Sequence, residues 1–122
     1  RGGGGNISGK IIPFLTDFDP SRALVQASLS QNVDLTFGSY RDACAVMRFF
    51  CFEPGLVKAI EYDQKVADLM IHFELDLTQG SQIRSIRDAR DRPGYFVIGG
   101  QCRESLLDQE ESFLRSFQIA YE

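Results

Sequence analysis

The sequence predicts an α+β fold: a mostly antiparallel sheet of four to six strands, covered on one face by a C-terminal amphipathic helix, with one or two short N-terminal helices. Three observations predict it. In Val66–Leu77 (VADLMIHFELDL), Leu69, Ile71, Phe73, Leu75 and Leu77 alternate with Met70, His72, Glu74 and Asp76, the pattern of a strand with one buried face. In Ser105–Ala120, Leu106, Leu107, Phe113, Leu114 and Phe117 recur at helical steps, giving a stripe that needs a surface to cover. Ten phenylalanines and no tryptophan in 122 residues make the core Phe-rich. A chain of this size buries roughly two-thirds of its unfolded surface, enough for a core without staples.

Arg1–Gly5 is RGGGG, with no apolar side chain to offer a core, so 1–5 is expected to be a flexible tail and 6–122 a single domain. Lys10–Leu15 reads as a short strand that Pro13, lacking an N–H, confines to an edge or ends. Asp19-Pro20-Ser21 starts a helix, with Asp19 as N-cap and Pro20 in the first turn; it continues to Gln31, and Asn32 stops it. Val33–Phe37 alternates like a strand up to Gly38. Ser39–Phe52 is open between helix and strand. Ser39 and Asp42 have capping-box spacing, Val46–Phe52 is rich in β formers, and a short helix running into a strand is expected. After the Glu53-Pro54-Gly55 turn, Leu56–Tyr62 pairs back as a strand. Thr78–Ser81 then turns the central strand into a hairpin with Gln82–Asp88, whose register Gln79-Gly80 leaves open. Arg90–Gly94 breaks the pattern, and Tyr95–Ile98 is the next strand. Ser105 and Asp108 form a second capping-box pair at the start of the last helix, whose stripe only Glu110 interrupts. The expected core is Leu69, Ile71, Phe73, Leu75, Phe96, Ile98, Leu107, Leu114 and Phe117.

A net charge of −4 argues against broad binding to nucleic acid or an anionic membrane, which needs a basic field. No apolar run approaches the ~18 residues of a spanning helix. Cys44, Cys51 and Cys102 have neither the even count of a disulfide framework nor a CxxC spacing. They are expected to be buried thiols in a reducing compartment, which favours the cytoplasm; one disulfide with a free thiol is the alternative. A secreted protein stays open because the chain begins at Arg1 rather than Met, and Asn6-Ile7-Ser8 is a glycosylation sequon that would matter only there.

His72, the one histidine, shares a strand face with Glu74 and Asp76, neighbours about 7 Å apart at a ~3.3 Å rise per residue. A histidine beside carboxylates can act as a general base. The favoured reading is plainer: a solvated face that sets register, with no metal and no cofactor. Arg84, Arg87, Arg90 and Arg92 form the densest basic cluster, interleaved with Asp88 and Asp91. They either grip a phosphate or carboxylate bidentately or, as favoured here, serve as surface charge paired with nearby acids, Glu74 and Asp76 across the hairpin included. Gly4–Lys10 matches G-x-x-x-x-G-K, but Ile11 replaces the magnesium-binding hydroxyl, no strand precedes it and Pro13 opposes the required helix.

Leu15–Ser21 (LTDFDPS) resembles the first motif of haloacid dehalogenase-type phosphatases, a strand ending in Asp-x-Asp. The resemblance covers about five residues and would make Asp17 the nucleophile and Asp19 the acid/base; an N-cap at Asp19 explains the same residues. From Arg48 onward, strands followed by an amphipathic helix resemble the second half of a pleckstrin-homology domain, with Phe113 as the aromatic plug. That resemblance implies an anion or lipid-headgroup site, although the family's basic first hairpin has no match here.

No catalytic constellation is complete, so the expected function is a non-enzymatic binding or adaptor domain engaging a protein partner. The alternatives are a pleckstrin-homology-like or other anion or lipid-headgroup binder using Arg84–Arg92, and a small enzyme using His72 with Glu74 or Asp76. The oligomeric state is open.

Overall fold

The structure, a computed structural model, describes residues 6–36, 38 and 40–122. Asn6 leads into a π-helical turn, Ile7–Ile11, that runs straight into α1 (Ile12–Thr16). Lys10–Leu15 is therefore helical rather than a strand. Pro13 sits in the first turn of α1, where its missing N–H forfeits no intrahelical bond. Asp19 caps α2 (Pro20–Ser28) as expected, its carboxylate accepting from the N–H groups of Ser21 and Arg22 at 3.0 Å. No strand forms over 33–36; Asp34 instead accepts from the Thr36 N–H at 2.8 Å. Phe37 and Ser39, the end of that expected strand and the expected helix cap, lie outside the described residues, as does the RGGGG stretch. Residues 40–43 form no helix, and β1 (Cys44–Phe49) follows.

The remaining elements are β2 (Gly55–Glu61), α3 (Gln64–Asp68), β3 (His72–Leu75), β4 (Gln82–Ile83), a 3-10 turn (Ala89–Asp91), β5 (Gly94–Gly100), α4 (Arg103–Ser116) and β6 (Gln118–Tyr121). The class is the expected α+β. Its strands pair antiparallel throughout, in two three-stranded sheets ordered β1-β5-β3 and β4-β2-β6.

Four expectations change. The central strand shrinks to β3, because Asp63 accepts from the N–H groups of Lys65 and Val66 and turns Gln64–Asp68 into helix; Leu69 is left 86% exposed. The hairpin between the central strand and Gln82–Asp88 does not form: β3 pairs with β5, and β4 pairs with β2. No arginine therefore faces Glu74 or Asp76 across a hairpin. β2 does not pair back on β1 but lies between β4 and β6. The last helix starts earlier, with Cys102 as N-cap and Ser105 inside it bonding Gln109, and it stops at Ser116 so that β6 can pair with β2.

Directly paired residues share a face of a sheet. On one face of β1-β5-β3, Phe96 and Ile98 meet Leu106 and Phe113 of α4, with Phe50 and Ala67 completing the buried cluster. Phe73, Leu75, Leu114 and Phe117 pack around it as expected, but Leu107 is exposed and Leu106 takes its place. The rings interlock: Phe113 meets Phe96 edge-on at 5.3 Å, and Tyr62 stacks on Phe117 at 5.0 Å. Glu110, the interruption in the stripe, is buried and pairs with Arg48 of β1.

The opposite face carries Phe49, Tyr95, Glu74, Val97, His72 and Gly99, and the N-terminal helical segment lies over part of it. Gly99 allows that approach: a Cβ there would sit 2.4 Å from Cζ of Phe14. Gly94, at φ 140°, lets β5 meet β3, since a Cβ would lie 2.1 Å from the Glu74 carbonyl oxygen. Cys51 and Cys102 are exposed and Cys44 is partly buried, all as free thiols, so burial does not account for two of the three. No helix among the described residues is long and apolar enough to cross a membrane.

Candidate functional site

The polar part of that second face centres on Tyr95. Its neighbours across the sheet are Phe49 on β1, with ring centroids 5.7 Å apart, and Glu74 on β3. His72, one pair along β3, stacks on the Tyr95 ring at 5.1 Å and 28°. Its Nε2 lies 3.3 Å from Oε2 of Glu74, within hydrogen-bonding reach. Asn6, where the described chain begins, donates its amide N–H to the Tyr95 hydroxyl. Burial, then the Glu74 charge and a hydrogen bond to its carboxylate, push the Tyr95 phenol above its ordinary pKa, so the hydroxyl stays protonated near neutral pH. The result is an open patch of amide, phenol, carboxylate and imidazole. The side chain of Glu74 is 46% exposed and that of His72 24%.

The expected site residues divide here. The structure brings His72 and Glu74 together. Asp76 stays outside the patch, its N–H bonded to the Pro93 carbonyl at 2.7 Å. The four arginines do not converge. Arg90 pairs with Asp88 at 3.1 Å, which depresses the Asp88 pKa through their hydrogen bond. Arg92 lies over the Phe49 ring at 4.1 Å, while Arg84 and Arg87 are exposed. Asp17 ends α1 and pairs with Arg41, and Asp19 caps α2; among the described residues no strand precedes either, so the expected strand-ending motif is not formed there. Among the described residues no group of three or more metal-ligating side chains assembles. A separate groove of about 680 Å³ runs between α3 and α4, lined by Val66, Met70, Asp108 and Ser112 among others, and takes none of these residues.

The sequence reading missed Asn6 and Tyr95. Tyr95 shares its alternation with Val97 and Gly99, a signal for which face it occupies. Its partners come from strands and a helix far away in sequence, which alternation does not report.

In comparison with known proteins, the family described as L-amino acid ligase C-terminal domain 2 matches residues 48–122, more than half of the chain. The chain belongs to this family. As a member of the L-amino acid ligase C-terminal domain 2 family it also superposes on an L-amino acid ligase from Bacillus licheniformis, with TM-score 0.78 and 16% identity over 100% of this chain. Phosphoribosylglycinamide synthetase from Anaerococcus prevotii gives TM-score 0.77 and 11% identity over 96% of this chain. At such identities the likeness is one of fold. The chain spans 31% of the length of each of those structures. No curated protein matches it in sequence.

Membership of a ligase domain family overturns the expected non-enzymatic adaptor. The pleckstrin-like arrangement fails on topology. The strands form two separate three-stranded sheets, and the arginines offered for a headgroup are dispersed among acids and an aromatic ring.

Proposed function

We propose that this chain is the C-terminal domain of a larger L-amino acid ligase and lends the Tyr95 patch to the substrate side of that enzyme. The match of residues 48–122 to the ligase domain family carries the reading. The fold shared with two synthetases about three times as long supports it. An amino acid brings an ammonium and a carboxylate. In the patch, the half-exposed Glu74 carboxylate complements the first, and the Asn6 amide, which has a second N–H beside the one given to Tyr95, is a donor suited to the second.

The test uses the longer polypeptide that carries this chain, incubated with a nucleoside triphosphate and pairs of L-amino acids. Mass spectrometry should find an amide-linked product with matching phosphate release. No product from any of the standard amino acids would overturn the reading. Glu74→Gln should raise KM for the amino acid about tenfold with kcat largely kept, the mark of a lost ground-state contact. An unchanged KM would remove Glu74 from the substrate side.

A further inference from the structure

α2 is a well-formed helix whose apolar side is bare. Asp19 caps its start, and the Leu29 N–H closes its end on Val25 and Gln26 carbonyls. None of its residues is buried. Leu24 is 69% exposed, Val25 59% and the C-cap Leu29 64%; Leu35, just beyond, is 66% exposed. Val25 and Leu29, four residues apart, lie on one side of the helix, with Leu24 on the flank next to Val25. Scattered exposed leucines are ordinary, but several large apolar chains in one short segment mark a contact surface. α2 also touches the π-helical turn, at whose start Asn6 reaches Tyr95. The bare stripe and the polar patch thus belong to the same N-terminal part of the fold.

We infer that the Leu24–Val25–Leu29 side of α2, extended by Leu35, is the surface on which the rest of the ligase polypeptide seats. The inference rests on the reading above. The occupant follows from size and order. The matching solved chains hold about two-thirds of their length outside the part that this chain covers. The matched family domain begins at residue 48, so α2 lies on the side of it from which the rest of a ligase with a C-terminal domain of this kind would come. A seat on α2 also brings that larger part beside the Tyr95 patch, where a shared substrate site needs it.

Hydrogen exchange read by mass spectrometry, on the 122-residue chain and on the longer polypeptide, tests the inference. Backbone amides over 24–36 should exchange about tenfold or more slowly in the longer protein. The variant Leu24→Asp/Leu29→Asp should keep the helical signal of the 122-residue chain, because both side chains are exposed there, yet lose the protection in the longer protein. Equal exchange over 24–36 in a longer protein that turns over would overturn the inference and leave the ligase reading standing. Protection without turnover would support the surface and remove the ligase reading. Protection that appears in the 122-residue chain with rising concentration would assign the stripe to a second copy and overturn the inference.

Discussion

α2 and α4 are both amphipathic helices and end up in opposite circumstances. α4 buries Leu106, Glu110 and Phe113 against β5 and β1, while α2 buries nothing. Their local signals differ the other way. α2 has a side-chain cap and proline in its first turn, whereas α4 starts at Cys102 with no side-chain cap bond. α2 thus has the stronger caps and α4 the deeper packing. Local capping tells where a helix begins, and only its apolar stripe tells what must come to cover it.

The sharpest way to break this comparison is to cut one large side chain from each helix. Phe113 is 2% exposed and meets Phe73, Phe96, Tyr62 and Phe117 ring to ring. Phe113→Ala should destabilise the 122-residue chain by about 3–5 kcal/mol in urea unfolding, the transfer and cavity cost of a core aromatic. Leu24→Ala should change it by less than about 0.5 kcal/mol, as at an ordinary surface site. Comparable losses in the two variants would mean that α2 is packed after all.

The same contrast explains which features the sequence made legible. The Asp19 cap, the strands at Leu56–Tyr62 and Tyr95–Ile98 and the covering role of the last helix are local patterns, and each is present. Val66–Leu77 misled because two periods overlap in it. Leu69, Ile71, Phe73 and Leu75 alternate, but Val66, Leu69, Met70 and Phe73 also fall at helical spacing. The Asp63 cap settled the first half as helix. Pro13 misled likewise, since proline suits both a strand edge and the first turn of a helix. Pairing was hidden altogether, because it depends on contacts far apart in sequence: β3 chose β5 over its near neighbour β4. In the candidate patch, His72 and Glu74 were visible on one strand, while Asn6 and Tyr95 join only through the fold. The dispersal of Arg84–Arg92 was visible in outline, since Asp88 and Asp91 lie among them.

A smaller effect sharpens why α4 tolerates a charge in its buried stripe. The Glu110 side chain is 4% exposed and its partner Arg48 54%, so one end of the pair is dry and the other wet. Arg48→Ala strands a carboxylate beside Leu106 and Phe113 and should cost about 1–3 kcal/mol, the penalty of an unpaired buried group. The half-exposed arginine keeps this below the cost of breaking a fully buried pair. Arg48→Ala combined with Glu110→Ala should cost clearly less than the sum of the single changes in a double-mutant cycle. Strict additivity would show that the two groups do not act as a pair.

The smallest effect probes the other face of the β1-β5-β3 sheet, around Tyr95. The Tyr95 phenol is held protonated in the folded state, first by burial and then by Glu74. Its folded pKa therefore lies above the unfolded value near 10, and the unfolded chain gives up this proton first. The stability it contributes is complete below about pH 10 and is lost as pH climbs through the raised folded value. Urea midpoints followed from about pH 9 to 11 should fall more steeply for the native chain than for Tyr95→Phe, which has no proton to lose there. Parallel curves would mean that the phenol is no more enclosed in the folded chain than in the unfolded one. The Asn6–Tyr95–Glu74 contacts would then add nothing to the stability of the 122-residue chain, and the N-terminal segment would have to be held to the sheet by its apolar contacts, such as Phe14 against Gly99, alone.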